Sequence, residues 1–375
     1  MENFIDNNYY SIVYSTFFAL TVVFSFLINS LFLKFSRTLG IRNNYDGTII
    51  RWGALSKPAM GGISFYIVFL ISVASYSFFF NPKHVLHNAQ FVGLLLSMAL
   101  GFLIGLADDA YNTRPLLKFF VQLSCSAILI ISGIYIDLFS NVILNYAITV
   151  FWVVGIMNSI NLLDNMDSIT TIVSIAIVEA SMLIILMNRD FTNIHLIILV
   201  GVLSSLIAFL YYNWNPSKMY MGDTGSQFLG VFLAYMGIIY FWNDPYPVTP
   251  HSPTRQLTIA MLAFIMPIID TTVVVINRIS LGNSPFIGGK DHTTHSLVYM
   301  GLSDKMVAVV FMLISFVSVL LIFVIRNYLL NWSYTIFWVF MAYFFSMLAF
   351  FFYCTRSKKA RNTLAMKNNL STTSA

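Results

Sequence analysis

The chain has 375 residues, of which 58% are hydrophobic and only 9% charged. A soluble domain carries about 25% charged residues, so a water-facing surface cannot be built from this composition and most of the surface must face lipid. The formal charge of +5 would suit a nucleic-acid partner, but the placement of the basic residues argues for membrane anchoring instead, and the two cysteines, Cys125 and Cys354, sit in apolar stretches that exclude a disulfide framework or a zinc cluster.

A bilayer-spanning helix needs about 20 mostly apolar residues. In chain order such runs lie near 12–33, 60–80, 91–107, 117–136, 141–157, 169–187, 194–212, 226–242, 257–277, 306–325 and 334–353. These predict eleven spans, or ten if one of the short runs near 91–107 and 141–157 does not cross. The opening Met1-Glu2-Asn3 has no basic segment, so the first run is expected to be a retained span rather than a cleaved signal. With eleven spans the termini lie on opposite sides. Placing the C-terminus inside puts 16 of the 20 Lys and Arg residues on the cytoplasmic face and leaves Lys83, Arg189, Arg255 and Arg326 outside. This is the positive-inside bias, and it supports the odd count. The expected architecture is an all-α polytopic membrane bundle. Residues 1–355 form one transmembrane domain with its functional loops in the cytoplasm and its N-terminus extracytoplasmic, and 356–375 form a basic, disordered cytoplasmic tail.

The acidic residues are not scattered. In the predicted topology Asp108, Asp109, Asp164, Asp167, Asp223 and Asp291 all fall at cytoplasmic span ends, whereas Asp137, Asp190 and Asp244 are isolated outside and only Glu179 and Asp270 lie within spans. An ionisable residue at membrane depth points to function. Lys57-Pro58 with Gly61-Gly62 opens the second span, where a glycine pair implies close packing or a ligand alongside. Asp108 and Asp109 end the third; adjacent carboxylates repel unless a divalent metal or a cation such as Lys118 relieves them.

Asn158, Asn161, Asp164 and Asp167 recur every third residue, which on a continuing helix makes one hydrophilic stripe. Their oxygens suit Mg²⁺, a hard cation; the alternative is a polar seam between helices. In Gly222-Asp223-Thr224-Gly225-Ser226 the glycines permit positive φ or close backbone approach, and such loops can aim amide groups at phosphate. His292 and His295, beside Lys290 and Asp291, lack the further ligands a zinc site needs, so contact with an anion or sugar is the expected role, with a structural loop as the alternative.

Taken together these stretches resemble the polyprenyl-phosphate N-acetylhexosamine-1-phosphate transferases, the WecA/MraY group of glycosyltransferase family 4. The matching segments are Lys57-Pro58 with Gly61-Gly62, Gly105 with Asp108-Asp109, Lys118 with Gln122, Asn158 to Asp167, Asn215-Pro216 to Ser226, and Asp291-His292 with His295, in the family's order. The resemblance implies ten or eleven spans, cytoplasmic loops, and transfer of a sugar-1-phosphate from a UDP-sugar to undecaprenyl phosphate with release of UMP. It implies Mg²⁺, for which Mn²⁺ substitutes, on Asp223 with Asn161 as second ligand. It places Asp108, Asp109, Asp164, Lys118 and His292 in catalysis, and Lys57, Asn161, Asn165, Asp167, Tyr220, Lys290, Asp291 and His295 in substrate binding.

Two departures narrow the branch. Asn165 and Ser168 stand where the family's second motif has glycine, and the loop Asp291-His292-Thr293-Thr294-His295-Ser296 lacks the clustered histidines of the muramyl-pentapeptide enzymes. The resemblance therefore favours a plain N-acetylhexosamine, GlcNAc first, initiating a lipid-linked cell-surface glycan such as an O-antigen; the phospho-MurNAc-pentapeptide translocase is the alternative. An intramembrane prenyltransferase does not need the glycine and histidine loops, and a transporter would hold its ionisable groups at the midplane. The expected setting is the inner (cytoplasmic) membrane, with UDP-N-acetylhexosamine, undecaprenyl phosphate and membrane lipid as partners, a homodimer as the assembly and no nucleic acid.

Overall fold

The structure is a computed structural model that describes residues 2–38, 57–80, 88–244, 252–284 and 289–357. Among them there is no strand, only an isolated bridge between Ala59 and Tyr220. The helices are α1 (Glu2–Thr38), α2 (Gly61–Phe80), α3 (Ala89–Tyr111), α4 (Pro115–Ile131), α5 (Val142–Leu163), α6 (Ile169–Met187), α7 (Ile194–Asn213), α8 (Gly222–Gly237), α9 (Pro253–Ala263), α10 (Ile265–Ser280), α11 (Thr293–Tyr299), α12 (Asp304–Asn327) and α13 (Tyr334–Arg356). Beyond Ser357 the expected tail lies outside the described residues.

Every expected apolar run contains a helix, though the run 117–136 is helical only to Ile131, and the irregular spans are not the ones anticipated. The runs near 91–107 and 141–157 belong to full-length helices of 23 and 22 residues. Nine helices among the described residues are long and apolar enough to cross a membrane; α9 and α10 make a tenth span bent by 81°, and α4, with 17 residues, is the short one. The break has a local cause. Pro267 has no amide hydrogen for the carbonyl of Ala263, and its ring crowds that carbonyl, so α9 ends there and Pro267 sits in the first turn of α10. The expected single span 257–277 is thus two helices.

Asparagine starts three of the helices. Asn88, Asn141 and Asn193 each accept the amide two residues on, from Gln90, Ile143 and His195, as N-caps of α3, α5 and α7. Connectivity alternates ends, so these three helices begin at one end of the bundle and finish at the other. The outer helices present bare apolar side chains, with Ile131 85% and Phe151 78% exposed, as a lipid-facing surface requires. α8 is the reverse: every residue from Thr224 to Gly237 is buried, and the helix packs against α3, α5 and α2. It continues into a π-helical turn, Ile238–Trp242.

Candidate active site

The acidic ends of α3 and α5 and the starts of α2, α4 and α8 meet at one end of the bundle. Two glycine contacts set how closely. A Cβ on Gly62 would lie 2.0 Å from the backbone nitrogen of Gly225, so the starts of α2 and α8 touch backbone to backbone. Gly222 turns the chain into α8 with φ +76°, and a Cβ there would lie 2.6 Å from Asp109 Oδ2. Both readings of the glycine-rich loop hold, positive φ at Gly222 and close approach at Gly225.

At the centre Lys118 Nζ, from the first turns of α4, lies 2.7 Å from Asp108 Oδ2 and 2.5 Å from Asp223 Oδ2. One ammonium therefore ties the end of α3 to the start of α8. Asp108 is fixed from behind, its Oδ1 accepting the Thr113 amide at 2.9 Å and the Thr113 hydroxyl at 2.5 Å. Asp223 Oδ1 accepts from Asn161 Nδ2 at 2.8 Å, and the same amide donates to Ser226 Oγ at 2.9 Å. The side chains of Asp108, Lys118 and Asp223 are 10%, 21% and 26% exposed, so their attraction is only partly screened by water.

Asp109 points elsewhere. Its Oδ1 accepts the Asp223 amide at 2.9 Å, and its Oδ2 accepts the Thr224 amide at 2.8 Å and the Thr224 hydroxyl at 2.6 Å. It caps the N-terminus of α8 from a neighbouring helix, where a carboxylate also meets the positive end of the helix dipole. Two of the loop amides, those of Asp223 and Thr224, are thus taken by Asp109. These contacts hold Asp223 and the start of α8 in place.

The polar stripe does not survive as one face. α5 ends at Leu163 and Asp164 is its C-cap, so the four residues diverge. Asn158 exchanges hydrogen bonds with Gln122, while Asn161 turns to Asp223. Asp167 holds the loop before α8: Oδ1 accepts Ser217 Oγ at 2.7 Å, and Oδ2 accepts the Ser217 amide at 2.9 Å and Asn215 Nδ2 at 3.2 Å. Lys57 Nζ adds a bond to Ser217 Oγ at 2.9 Å, lies 3.7 Å from Asp167, and stands 5.1 Å from the centre of the Tyr220 ring. Tyr220 itself is stitched to the second span by its amide, which donates to the Pro58 carbonyl at 3.0 Å. Lys57, Asp167 and Tyr220 therefore form one cluster.

The histidine segment is anchored by two residues of α10 outside the predicted site. Asp270 of α10, fully buried, receives His292 Nδ1 at 2.9 Å on one oxygen and the Thr293 amide and hydroxyl at 2.9 and 2.6 Å on the other. Arg278 pairs with Asp291 through Nε and Nη2, each at 2.7 Å. Burial raises the Asp291 carboxyl, but the Arg278 guanidinium overrides it and holds the group below the usual carboxylate range. Thr294 donates to Asn165 Oδ1 at 2.6 Å, joining this segment to the end of α5. His292 and His295 are 4% and 2% exposed, their rings edge to face at 5.5 Å, and burial followed by the charge of His292 pushes His295 down to about 3. Lys290 gives its carbonyl to the Tyr299 hydroxyl at 3.2 Å and is half-buried at the rim.

A membrane-embedded carboxylate is itself a signal, and Asp270 stood out as one; Arg278 carried none, because its partner is thirteen residues on, across a loop. Among the described residues no group of three or more His, Cys, Asp or Glu is spaced to hold a metal. A divalent cation nevertheless fits beside Asp223. Its Oδ1 and the Asn161 amide nitrogen are 2.8 Å apart, and turning that amide over puts oxygen in the nitrogen's place. Two oxygens so spaced match an edge of the octahedron that Mg²⁺ makes with bonds of about 2.0–2.1 Å. Water and diphosphate oxygens are the normal source of its other ligands.

The family model for glycosyl transferase family 4 matches residues 91–241, which run from α3 through α8 and carry Asp108, Lys118, Asn161 and Asp223. A Bacillus subtilis (strain 168) protein named "Probable undecaprenyl-phosphate N-acetylglucosaminyl 1-phosphate transferase" is 30% identical over 270 residues, covering 69% of this chain and 71% of that protein. The "Decaprenyl-phosphate N-acetylglucosaminephosphotransferase" of Mycobacterium leprae (strain TN) is 26% identical, with 67% and 68% covered. The "Phospho-N-acetylmuramoyl-pentapeptide-transferase" of Staphylococcus carnosus (strain TM300) is 33% identical over 48% of this chain and 62% of its own length.

Proposed function

We propose that this chain, which belongs to glycosyl transferase family 4, transfers N-acetylglucosamine-1-phosphate from UDP-N-acetylglucosamine to undecaprenyl phosphate and so begins a lipid-linked cell-surface glycan. It is a phosphoglycosyltransferase and a multi-pass membrane protein. The observation that carries the reading is the Lys118 ammonium held between Asp108 and Asp223 at one end of an apolar bundle. Such a place suits the meeting of a lipid-borne anion with a soluble one.

In the reaction an oxygen of the lipid phosphate attacks the β-phosphorus of the UDP-sugar, the bond from that phosphorus to the bridging oxygen breaks, and UMP leaves with the electron pair. Both reactants are anions, so their approach needs positive charge. Lys118 supplies one such charge, in contact with both carboxylates. Asp108, clamped by Thr113, orients the lipid phosphate through Lys118. A phosphate monoester with its second pKa near about 6 is already largely dianionic at neutral pH, so no strong base is required. Asp223 and Asn161 would hold Mg²⁺, which supplies charge neutralisation on the diphosphate when bound. Asp109 fixes Asp223 through the start of α8. Asp164, Asn165 and Tyr220 face the nucleotide side, with Lys57 and Asp167 keeping Tyr220's loop in shape. His292 is set by Asp270, and with Lys290 at the rim it serves the sugar phosphate.

The small segment Lys290–Ser296 supports a single acetamido sugar over a peptide-bearing donor: its carboxylate and His292 are engaged with α10, Thr294 with Asn165 beyond α5, and His295 is buried against the His292 ring. The site end is cytoplasmic and the N-terminus extracytoplasmic, from the 16-to-4 division of basic residues. The test is transfer by the purified protein in membranes containing undecaprenyl phosphate, given radiolabelled UDP-GlcNAc, UDP-GalNAc or UDP-MurNAc-pentapeptide. Lipid-linked sugar and UMP are expected from UDP-GlcNAc. Product from the pentapeptide nucleotide alone would move the chain to the muramyl branch.

A further inference from the structure

Glu179 lies at the centre of α6, about 15 Å along the axis from Ile169 and about 12 Å from Met187 at 1.5 Å per residue. That is the middle of a hydrocarbon layer about 30 Å thick. The residue is exposed, and it shares its stripe with Ile175, Met182 and Leu186, which recur at helical spacing and are half-buried or exposed, while Val178, Ala180 and Ser181 on the other side are buried in the bundle. Among the described residues no hydrogen bond or ion pair reaches its carboxyl. The group lies about 15 Å along α6 from the end of the bundle at which the site residues gather, and nothing in the transfer reaction uses it.

A carboxylate facing lipid at this depth disfavours insertion by roughly a hundredfold, and such residues ordinarily face a bundle interior or pair with another group. We infer that this face of α6 docks a transmembrane helix of a different protein, one that carries a lysine, arginine or histidine at mid-membrane depth. Charge decides against a second copy as the occupant. Among the described residues this chain exposes no basic side chain at the middle of any span: Arg255, Arg278 and Arg326 are buried, and Lys118 is held in the site at a helix end. A second copy would set Glu179 against another carboxylate or against hydrocarbon.

The test uses the full chain in membranes of the organism that encodes it, with a benzophenone amino acid in place of Met182, one turn from Glu179. Light should give one crosslinked heterodimer, with the label mapped to a transmembrane helix having a basic residue within one turn. Glu179→Leu should cut the yield at least tenfold while leaving transferase activity within twofold, and replacing the partner's basic residue by leucine should do the same. Pairing Glu179→Lys with an acidic residue in the partner should restore the crosslink, which keeps the test decisive if the leucine form is poorly inserted. Crosslinks to lipid alone, to a second copy, or to a helix without a basic residue would overturn the inference, as would a yield indifferent to Glu179.

Discussion

Lys118→Met removes the ammonium and keeps most of the side-chain volume, so it isolates the charge that joins α4 to Asp108 and Asp223. The two contacted oxygens lie no more than about 5 Å apart, and at an effective dielectric constant of about 20 their charges would repel by at least about 3 kcal/mol once the lysine is gone. With Asp108 10% and Asp223 26% exposed, solvent relieves part of this, and a loss of about 2–3 kcal/mol in stability is expected. Transfer should fall by about 10²–10³-fold, the usual effect of deleting a group that neutralises developing charge. The double variant Lys118→Met with Asp108→Asn separates the two effects, because it removes the repulsion without restoring the cation. Thermal unfolding in detergent should return most of the way to wild type, while transfer of labelled sugar phosphate to undecaprenyl phosphate stays low. Near-normal turnover by Lys118→Met, or a double variant less stable than the single one, would refute the reasoning.

Asp223→Asn should abolish transfer with little change in folding, since it keeps the acceptor for Asn161 but loses the anion; normal turnover of the purified variant at saturating Mg²⁺ would contradict the assignment. Gly62→Ala should block folding or cost several kcal/mol, because its methyl meets the backbone of Gly225, whereas Gly155→Ala, with nothing within 4 Å, should be neutral or stabilising by up to about 1 kcal/mol; yields of monodisperse protein compare the two. His295 has its folded pKa depressed to about 3, so between about 6.5 and 3 the unfolded chain binds the proton and the folded one does not. Stability should therefore fall as pH drops from 7 to 5, by about 2 kcal/mol from this group, and His295→Gln should flatten that slope in melts taken at each pH. Cysteines introduced near the N-terminus and in the Lys290–His295 segment should label from opposite sides of the membrane; labelling from one side would mean an even number of crossings.

The spans were legible because lipid imposes one rule on every outer residue, and Leu, Ile, Val and Phe obey it for some twenty positions at a time. The break in the ninth span was also written in the sequence, as Pro267 within an apolar run, but apolarity alone reads through it. The end of α5 was not legible: Asn158, Asn161, Asp164 and Asp167 keep a helical period past Leu163, and only their separate partners on other helices reveal that the helix has stopped. Asp108 and Asp109 look equivalent as neighbours in a chain. Successive residues on a helix point about 100° apart, so one meets Lys118 and the other meets the start of α8.

The lysine bridge also joins two helices that sense the bilayer differently. α8 has no lipid-facing side from Thr224 onward, so membrane thickness can reach it only through its neighbours. α4 is bathed in lipid, with Leu116 64% and Phe120 55% exposed, and its 17 residues span about 25 Å, less than the hydrocarbon layer of about 30 Å. Thickening or thinning the bilayer tilts or draws such a short helix at a cost of fractions of a kcal/mol per Å. Lys118 rides on α4, so lipid composition can bear mechanically on the ion pair it makes with Asp223.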